Sequence, residues 1–192
     1  MKKILTVLTI SALFSGSALA ATQASNFYVG VDYVHSSFPE FPLATKKAES
    51  AGYAIQLGYE LPSSSNWVNA FEIEYINAGS VEYSFNDTDL GIVGDGNLDL
   101  SAINLSYKPK FFFGRFFVAG QVGYAAVSAS GKANYTFRGE TINKDMADSI
   151  DSGLTLGGEL GVLITDRLSL KGGYRIIESN TSTLYAGLAL NF

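Results

Sequence analysis

Most of this chain repeats one pattern, and that pattern restricts the fold more than any other feature of the sequence. Apolar and polar residues alternate with a period of two, as in a β-strand whose two faces meet different surroundings. After residue 20, no run of about 18 apolar residues remains that would span a membrane as a helix. Eight segments alternate in this way: 26–36, 51–61, 67–85, 97–108, 115–129, 149–164, 168–178 and 182–192. The sequence therefore predicts an all-β fold of eight antiparallel strands.

The second segment shows the alternation best, and the fourth shows it least well. In 51–61 one face carries Tyr, Ile and Leu, and the other carries Gly, Ala, Gln and Glu. In 97–108, Leu98, Leu100 and Ala102 have the opposite parity to Ile103 and the apolar residues after it. We expect a β-bulge or a change of phase within this segment.

The first 20 residues have the organisation of a secretory signal peptide. Lys2 and Lys3 precede an apolar stretch that is shorter than a membrane-spanning helix requires, and Ala18 and Ala20 form a small-residue cleavage site. We therefore expect residues 1–20 to be removed and residues 21–192 to form one exported domain.

The composition excludes several classes of protein. Charged residues make up only 16% of the chain, below the ~25% usual for soluble domains, although 47% of the residues are hydrophobic. The chain has no cysteine, which excludes disulfides and thiolate chemistry. A formal net charge of −5 argues against a nucleic-acid partner. No motif indicates a catalytic centre, a metal site or a cofactor.

The lengths of the predicted connections alternate along the chain. Short links fall at 62–66, 109–114 and 165–167, whereas the long polar links fall at 37–50, 86–96 and 130–148. The last link, 179–181, is short as well. Transmembrane barrels have short periplasmic turns and longer external loops, and the three long links fall on one side of an eight-stranded barrel.

The polar faces decide what surrounds this barrel. A lipocalin also has eight strands, but its polar face meets water and carries many charges. The polar faces here are built mainly from Gly, Ala, Ser and Gln, which suit the narrow interior of an eight-stranded barrel. Aromatic residues near the strand ends suit the girdles of a membrane barrel: Tyr33, Tyr53, Tyr59, Trp67 and Tyr124. The sequence predicts an eight-stranded antiparallel up-and-down transmembrane β-barrel.

The end of the chain resembles the C-terminal assembly signal of bacterial outer-membrane barrels. Leu188, Leu190 and Phe192 share one face of a strand that runs to the last residue. With the strand count, the loop asymmetry and the segment 171–175 (KGGYR), the whole chain after residue 20 resembles the OmpA-type family of small outer-membrane β-barrels. The resemblance implies a monomeric, non-enzymatic Gram-negative outer-membrane protein without a cofactor. It implies contact with lipid, lipopolysaccharide and the insertion machinery, and external loops that serve surface recognition or envelope integrity.

Charged residues on the predicted inward faces form a candidate ion-pair cluster in the lumen. If 165–167 is a three-residue turn, Glu159 lies opposite Gly173, with Lys171 and Arg175 as its diagonal neighbours. Charges in a narrow lumen need such partners. Glu72 and Glu74 also belong to this cluster. Filling of the lumen and gating of a narrow, weakly conducting pore both remain open.

Two further features concern the external side. His35, the only histidine, lies at the external end of the first segment, where the lipid A palmitoyltransferase PagP carries a catalytic histidine; a plain interfacial side chain is the alternative. The link 130–148 combines cationic and aromatic residues that could meet lipopolysaccharide or another surface, unless it only shields the barrel mouth. These residues are Lys132, Tyr135, Phe137, Arg138 and Lys144.

Overall fold

The computed structural model describes residues 26–38, 49–62, 66–87, 92–137, 140–177 and 181–192. At 62, 83, 85–87, 92–93, 135–137 and 140–148 it describes the backbone alone. The predicted signal peptide lies outside the described residues, as does Arg138.

Every regular element in this part of the chain is a β-strand, and no helix in it is long and apolar enough to cross a membrane. The strands are β1 (Phe27–Ser37), β2 (Glu49–Pro62), β3 (Trp67–Asp87), β4 (Ile92–Phe113), β5 (Phe116–Phe137), β6 (Glu140–Leu163), β7 (Leu168–Ile177) and β8 (Thr181–Asn191).

The eight strands close into a barrel in which each strand pairs antiparallel with its neighbours in the sequence. The barrel closes between β1 and β8, where Tyr28 pairs with Asn191 and Ser37 with Ser182. The Phe192 N–H donates to the Phe27 carbonyl at 3.0 Å and extends this seam to the last residue. The predicted fold class and strand number are therefore confirmed.

The barrel reverses the exposure pattern of a soluble domain. Val31 and Leu57 are about half exposed on the outer wall, whereas polar side chains such as Gln56 and Asn104 are buried inside. The outer wall near the short turns carries aromatic pairs, including Trp67 with Phe111. This arrangement suits a wall in contact with hydrocarbon, flanked by aromatic side chains at the interface.

Two of the predicted external loops are mostly β-strand, so that part of the prediction was wrong. β5 and β6 pair from Phe116 and Val162 out to Phe137 and Glu140, so the link 130–148 is a continuation of two strands. Likewise β3 and β4 pair out to Asp87 and Ile92 across the predicted link 86–96. We call the four-stranded continuation of β3–β6 past the closed barrel the protruding sheet (79–87, 92–100, 129–137 and 140–154). Of the third predicted long link, 37–50, the ends belong to β1 and β2, and residues 39–48 lie outside the described residues.

β4 keeps one phase, contrary to the phase change that its apolar residues suggest. Leu100 and Ala102 are buried on the same inner face as Asn104. Within the membrane, the apolar residues of β4 face lipid. Above the membrane, the apolar residues of the same strand face the interior of the protruding sheet, so they lie on its other side. The irregularity lies in β3 instead, between Asn77 and Gly79.

Gly79 allows the β3 bulge that carries the strand from the barrel into the protruding sheet. Its φ of 85° favours glycine, and a Cβ at this position would lie 2.3 Å from the Ala51 carbonyl oxygen. We expect Gly79→Ala to lower the free energy of unfolding by about 1–3 kcal/mol, measured by urea denaturation in lipid vesicles. The control is Gly120→Ala, since a Cβ there would meet only Pro109 Cγ at 3.9 Å. Equal unfolding midpoints for the two variants would show that the bulge needs no glycine.

Candidate functional site

The candidate site is the charged interior of the barrel, to which six of the eight strands contribute. Inward positions alternate with lipid-facing ones, so each strand delivers a side chain to the lumen at every second residue. Five charged side chains make ion pairs with one another in the middle of the lumen, and we call them the central network: Asp32, Glu72, Lys108, Glu159 and Lys171.

Two lysines and three carboxylates alternate in the central network. Lys108 Nζ lies 2.8 Å from Glu72 and 3.3 Å from Glu159, and Lys171 Nζ lies 3.4 Å from Glu159 and 2.8 Å from Asp32. Glu159 also accepts a hydrogen bond from the Tyr185 hydroxyl at 3.1 Å. Each lysine thus bridges two carboxylates, which offsets the cost of holding these charges away from water.

The register around Glu159 is the one that the short turn predicts, but one of its expected partners differs. Glu159 lies opposite Gly173, and Lys171 approaches it across the ladder. Arg175 instead pairs with Glu74 on the far wall, where Asn104 also donates to Glu74 at 3.4 Å. An arginine is long enough to cross an eight-stranded barrel, so the nearest acid along the sheet is not its partner.

A further ion pair lies nearer the periplasmic mouth. Lys110 Nζ is 2.7 Å from Glu60, and Asn191 donates to the other oxygen of Glu60 at 3.3 Å. The ammonium group of Lys110 also lies 4.4 Å from the centre of the Tyr28 ring, a cation–π contact.

Sequence reasoning missed Lys108 and Lys110. The predicted fourth strand ended at 108, and Lys110 fell in a predicted turn, whereas β4 continues to Phe113. The missed signal is parity, because both lysines share the phase of Asn104 and Ser106. With them, the inward set holds five carboxylates and four basic groups among the described residues, so the excess of acids is one: Asp32, Glu60, Glu72, Glu74 and Glu159 against Lys108, Lys110, Lys171 and Arg175.

On the external side of the charged groups, buried apolar side chains cluster in the lumen. These side chains come from seven strands and pack into one buried cluster, which we call the apolar layer: Val34, Ala54, Ile76, Ala102, Ala125, Ile177 and Tyr185. Val34 and Ala125 have no exposed surface. The lumen therefore changes from charged to apolar along its axis.

The predicted surface residues lie on the protruding sheet. Lys132 is exposed on its outer face, opposite Asn97 of β4. The backbones of Tyr135 and Phe137 belong to β5, and that of Lys144 belongs to β6. The residues of the predicted assembly signal lie at the seam, where Leu188 pairs with Val31 and Leu190 with Val29.

His35 lies at the external end of β1, half-exposed, with its Nε2 3.6 Å from a carboxylate oxygen of Glu49. Both side chains face outward at the external mouth. The residue that pairs with His35 on β2 is Ala51 and not a serine.

Comparison with known families agrees with this architecture. The family model described as "Outer membrane protein beta-barrel domain" matches residues 6–192. A search of curated protein sequences returned no significant match.

The solved structures similar to this chain are outer-membrane barrels. The crystal structure of Ail, the attachment invasion locus protein of Yersinia pestis, is 16% identical with a TM-score of 0.53, over 88% of this chain and 100% of Ail. Its complex with the heparin analogue sucrose octasulfate gives 14% identity and a TM-score of 0.52 over the same shares. Neisserial surface protein A gives 19% identity and a TM-score of 0.47, over 88% of this chain and 99% of the other. With the family match across nearly its whole length, this chain belongs to the outer membrane protein β-barrel domain family.

Proposed function

We propose that this outer-membrane barrel is a non-enzymatic anchor that holds the protruding sheet at the cell surface for recognition of a partner. The observation that carries the proposal is the length of β3–β6 relative to the other strands. On one side of the sheet, β2 pairs with β3 only as far as Tyr53 with Asn77, and on the other, β7 pairs with β6 only as far as Ile177 with Thr155. Both β3 and β6 continue well beyond these points. Extra strand length that closure does not require is consistent with a use outside the membrane.

The free edges of the protruding sheet favour an extended polypeptide as the partner. Within the described ranges, β6 has no strand paired on its second side over 140–154, and β3 has none over 80–87. Such an edge presents unpaired N–H and C=O groups, to which an extended segment adds as a further strand.

Among the side chains that the structure describes, those that carry exposed charge on the outer face of the protruding sheet are mostly acidic: Glu82, Asp95, Asp99 and Lys132. The same face carries the exposed apolar side chains of Ile150 and Leu154 on β6. The heparin analogue bound by Ail is a sulfated polyanion, and an acidic face repels such a ligand. A polypeptide that pairs with the edge therefore fits this chain better than a sulfated glycan on that face.

The alternative function, a narrow conducting pore, is less well supported because two kinds of packing fill the lumen. In the central network, ion pairs join strands that are not neighbours in the sheet, and the apolar layer lies above them on the external side. An apolar constriction without water opposes the passage of ions.

A PagP-like enzyme is less well supported still. Such an enzyme needs an apolar pocket for an acyl chain, and the centre of this barrel holds buried charges. His35 pairs with Glu49 at the external mouth, away from the lumen.

The pairing pattern predicts which interior carboxylate contributes most to stability. Glu74→Gln removes the only carboxylate that is ion-paired with Arg175 in the described part of the chain. We expect it to cost about 3–5 kcal/mol of unfolding free energy in urea titrations, since a buried charge is left unpaired. Glu159→Gln should cost less, because Lys108 keeps Glu72 and Lys171 keeps Asp32.

The control for this comparison is Glu60→Gln, which affects a pair nearer solvent and should have the smallest effect. If Glu159→Gln proves the most destabilising of the three, stability depends on the lysine bridges and the account of Arg175 is wrong.

The edge of β6 provides a test of strand addition. The Ser152 N–H donates to the Asp151 side chain and therefore points away from β5. The N–H of Ile150, two residues earlier on the same strand, points to the same free side. Ile150→Pro removes this edge donor but no ladder bond to β5. Ile150→Ala is the matched control, because it removes the exposed side chain and keeps the N–H.

The probe is a set of peptides selected from a random phage-displayed library on the folded parent barrel in nanodiscs. We expect these peptides to lose affinity by about tenfold or more for Ile150→Pro, and to keep it for Ile150→Ala, since a lost edge contact costs about 1–3 kcal/mol. Selected peptides that bind all three proteins equally, or a library that yields no binders, would count against edge recognition.

A further inference from the structure

Two arginines lie on neighbouring turns of the periplasmic rim, outside the lumen. Arg115 lies on the turn between β4 and β5, and Arg167 lies on the turn between β6 and β7. The two turns are neighbours because β5 pairs with β6, with Phe116 opposite Val162 at the rim. Both arginines are exposed.

Hydrogen bonds join the two turns and hold the arginines in place. The Leu163 N–H donates to the Arg115 carbonyl at 2.7 Å, and Arg115 Nη1 donates to the Ile164 carbonyl at 3.4 Å. The carbonyl of Arg167 accepts a hydrogen bond from the Asn191 N–H at 2.8 Å, which ties this turn to β8. The Arg115 guanidinium therefore reaches the turn that carries Arg167. Since a guanidinium has five N–H donors, one bond to a carbonyl leaves donors for a ligand.

Exposed charge on this rim is mostly basic, whereas exposed charge on the outer face of the protruding sheet is mostly acidic. Among the described side chains, the exposed charged groups of the rim are Arg115, Asp166 and Arg167. The whole chain has a formal net charge of −5, so the rim differs in sign from the protein as a whole. A rim with this charge attracts anions.

The wall next to the two arginines is apolar and faces lipid. Phe116 is 55% exposed and stacks on Phe113, with 6.0 Å between the ring centres. Leu160, Ile164 and Leu170 are exposed on the same wall. The two guanidinium groups therefore lie where the hydrocarbon surface ends, and the headgroups of the periplasmic leaflet lie at this level.

We propose that Arg115 and Arg167 bind the phosphate of an anionic phospholipid in the periplasmic leaflet, while its acyl chains lie along the wall of β5–β7. A guanidinium matches a phosphate with two parallel hydrogen bonds. A phospholipid with a net negative charge binds better than a zwitterionic one, whose own cation compensates its phosphate. The site goes beyond the surface role of the protein, since it lies at the end of the barrel opposite the protruding sheet.

The experiment is native mass spectrometry of the folded barrel released from nanodiscs made of equal parts of phosphatidylglycerol and phosphatidylethanolamine. The quantity measured is the ratio of the two lipids in complexes that retain one lipid molecule. We expect phosphatidylglycerol to exceed phosphatidylethanolamine by about fivefold or more, the size of the attraction between one basic group and an anionic membrane surface. Equal retention of the two lipids by the parent protein would overturn the proposal.

Substitutions on the rim locate the site, once heat-modifiable gel mobility has shown that the variants fold. Arg115→Gln and Arg167→Gln should each lower the preference for phosphatidylglycerol several-fold, and the double variant should abolish it. Arg115→Lys should retain part of the preference, because a lysine keeps the charge and loses the paired donors. Asp166→Asn should raise the preference, since it removes the acid between the two basic turns.

The matched control is Lys132→Gln, which removes the same charge from the outer face of the protruding sheet and should leave the preference unchanged. An equal loss in Lys132→Gln and Arg115→Gln would show that net charge alone selects the lipid. That result, or a double variant that keeps the preference of the parent, would refute a site at the periplasmic rim.

Discussion

Pairing of buried charge is the constraint on which the rest of this structure depends. Lipid surrounds the barrel, so an unpaired ion in its interior would cost several kcal/mol. The lumen meets this constraint by placing lysines between carboxylates from different strands, as Lys108 does between Glu72 and Glu159. Two of these pairs, Lys108–Glu159 and Lys171–Asp32, connect strands that are not neighbours in the sheet, and their side chains occupy the narrow space that a barrel of eight strands encloses. On the proposed function, the same contacts that compensate the charges also close the lumen.

The face of the strands that carries the apolar side chains changes at the membrane surface. Within the membrane, apolar side chains face outward and charged ones inward. Above it, Val81 and Leu100 pack on the inner face of the protruding sheet, and Glu82 and Asp99 face outward. The β3 bulge at Gly79 lies where this change occurs. The result is a continuation of the barrel wall into the external medium, with edge strands that the barrel does not cover.

Alternation and turn length predicted much of this structure, including the closed barrel, its inward faces and the pairing of Glu159 with Gly173. Period-two patterning and a short turn are local properties, so the sequence reveals them directly. The partner of Arg175 was not predictable in this way, because a side chain that crosses the lumen meets residues far away in the sequence. The outer part of the protruding sheet, 86–96 and 130–148, was mistaken for loops since a strand exposed to water has a polar outer face and resembles a loop in composition. Lys108 and Lys110 were missed because the change of apolar side along β4 concealed the phase of that strand.

The central claim is that paired charges and the apolar layer close the lumen, and ionic current tests it most directly. The purified, folded protein would be incorporated into a planar lipid bilayer, and single-channel current would be recorded in KCl under applied voltage. The account predicts no sustained open level, because ions would have to pass both the central network and the apolar layer. Insertion would be verified in the same preparation by the gel mobility of unboiled protein. A stable, protein-dependent conductance with a reproducible unit size would contradict the account and would favour a narrow pore.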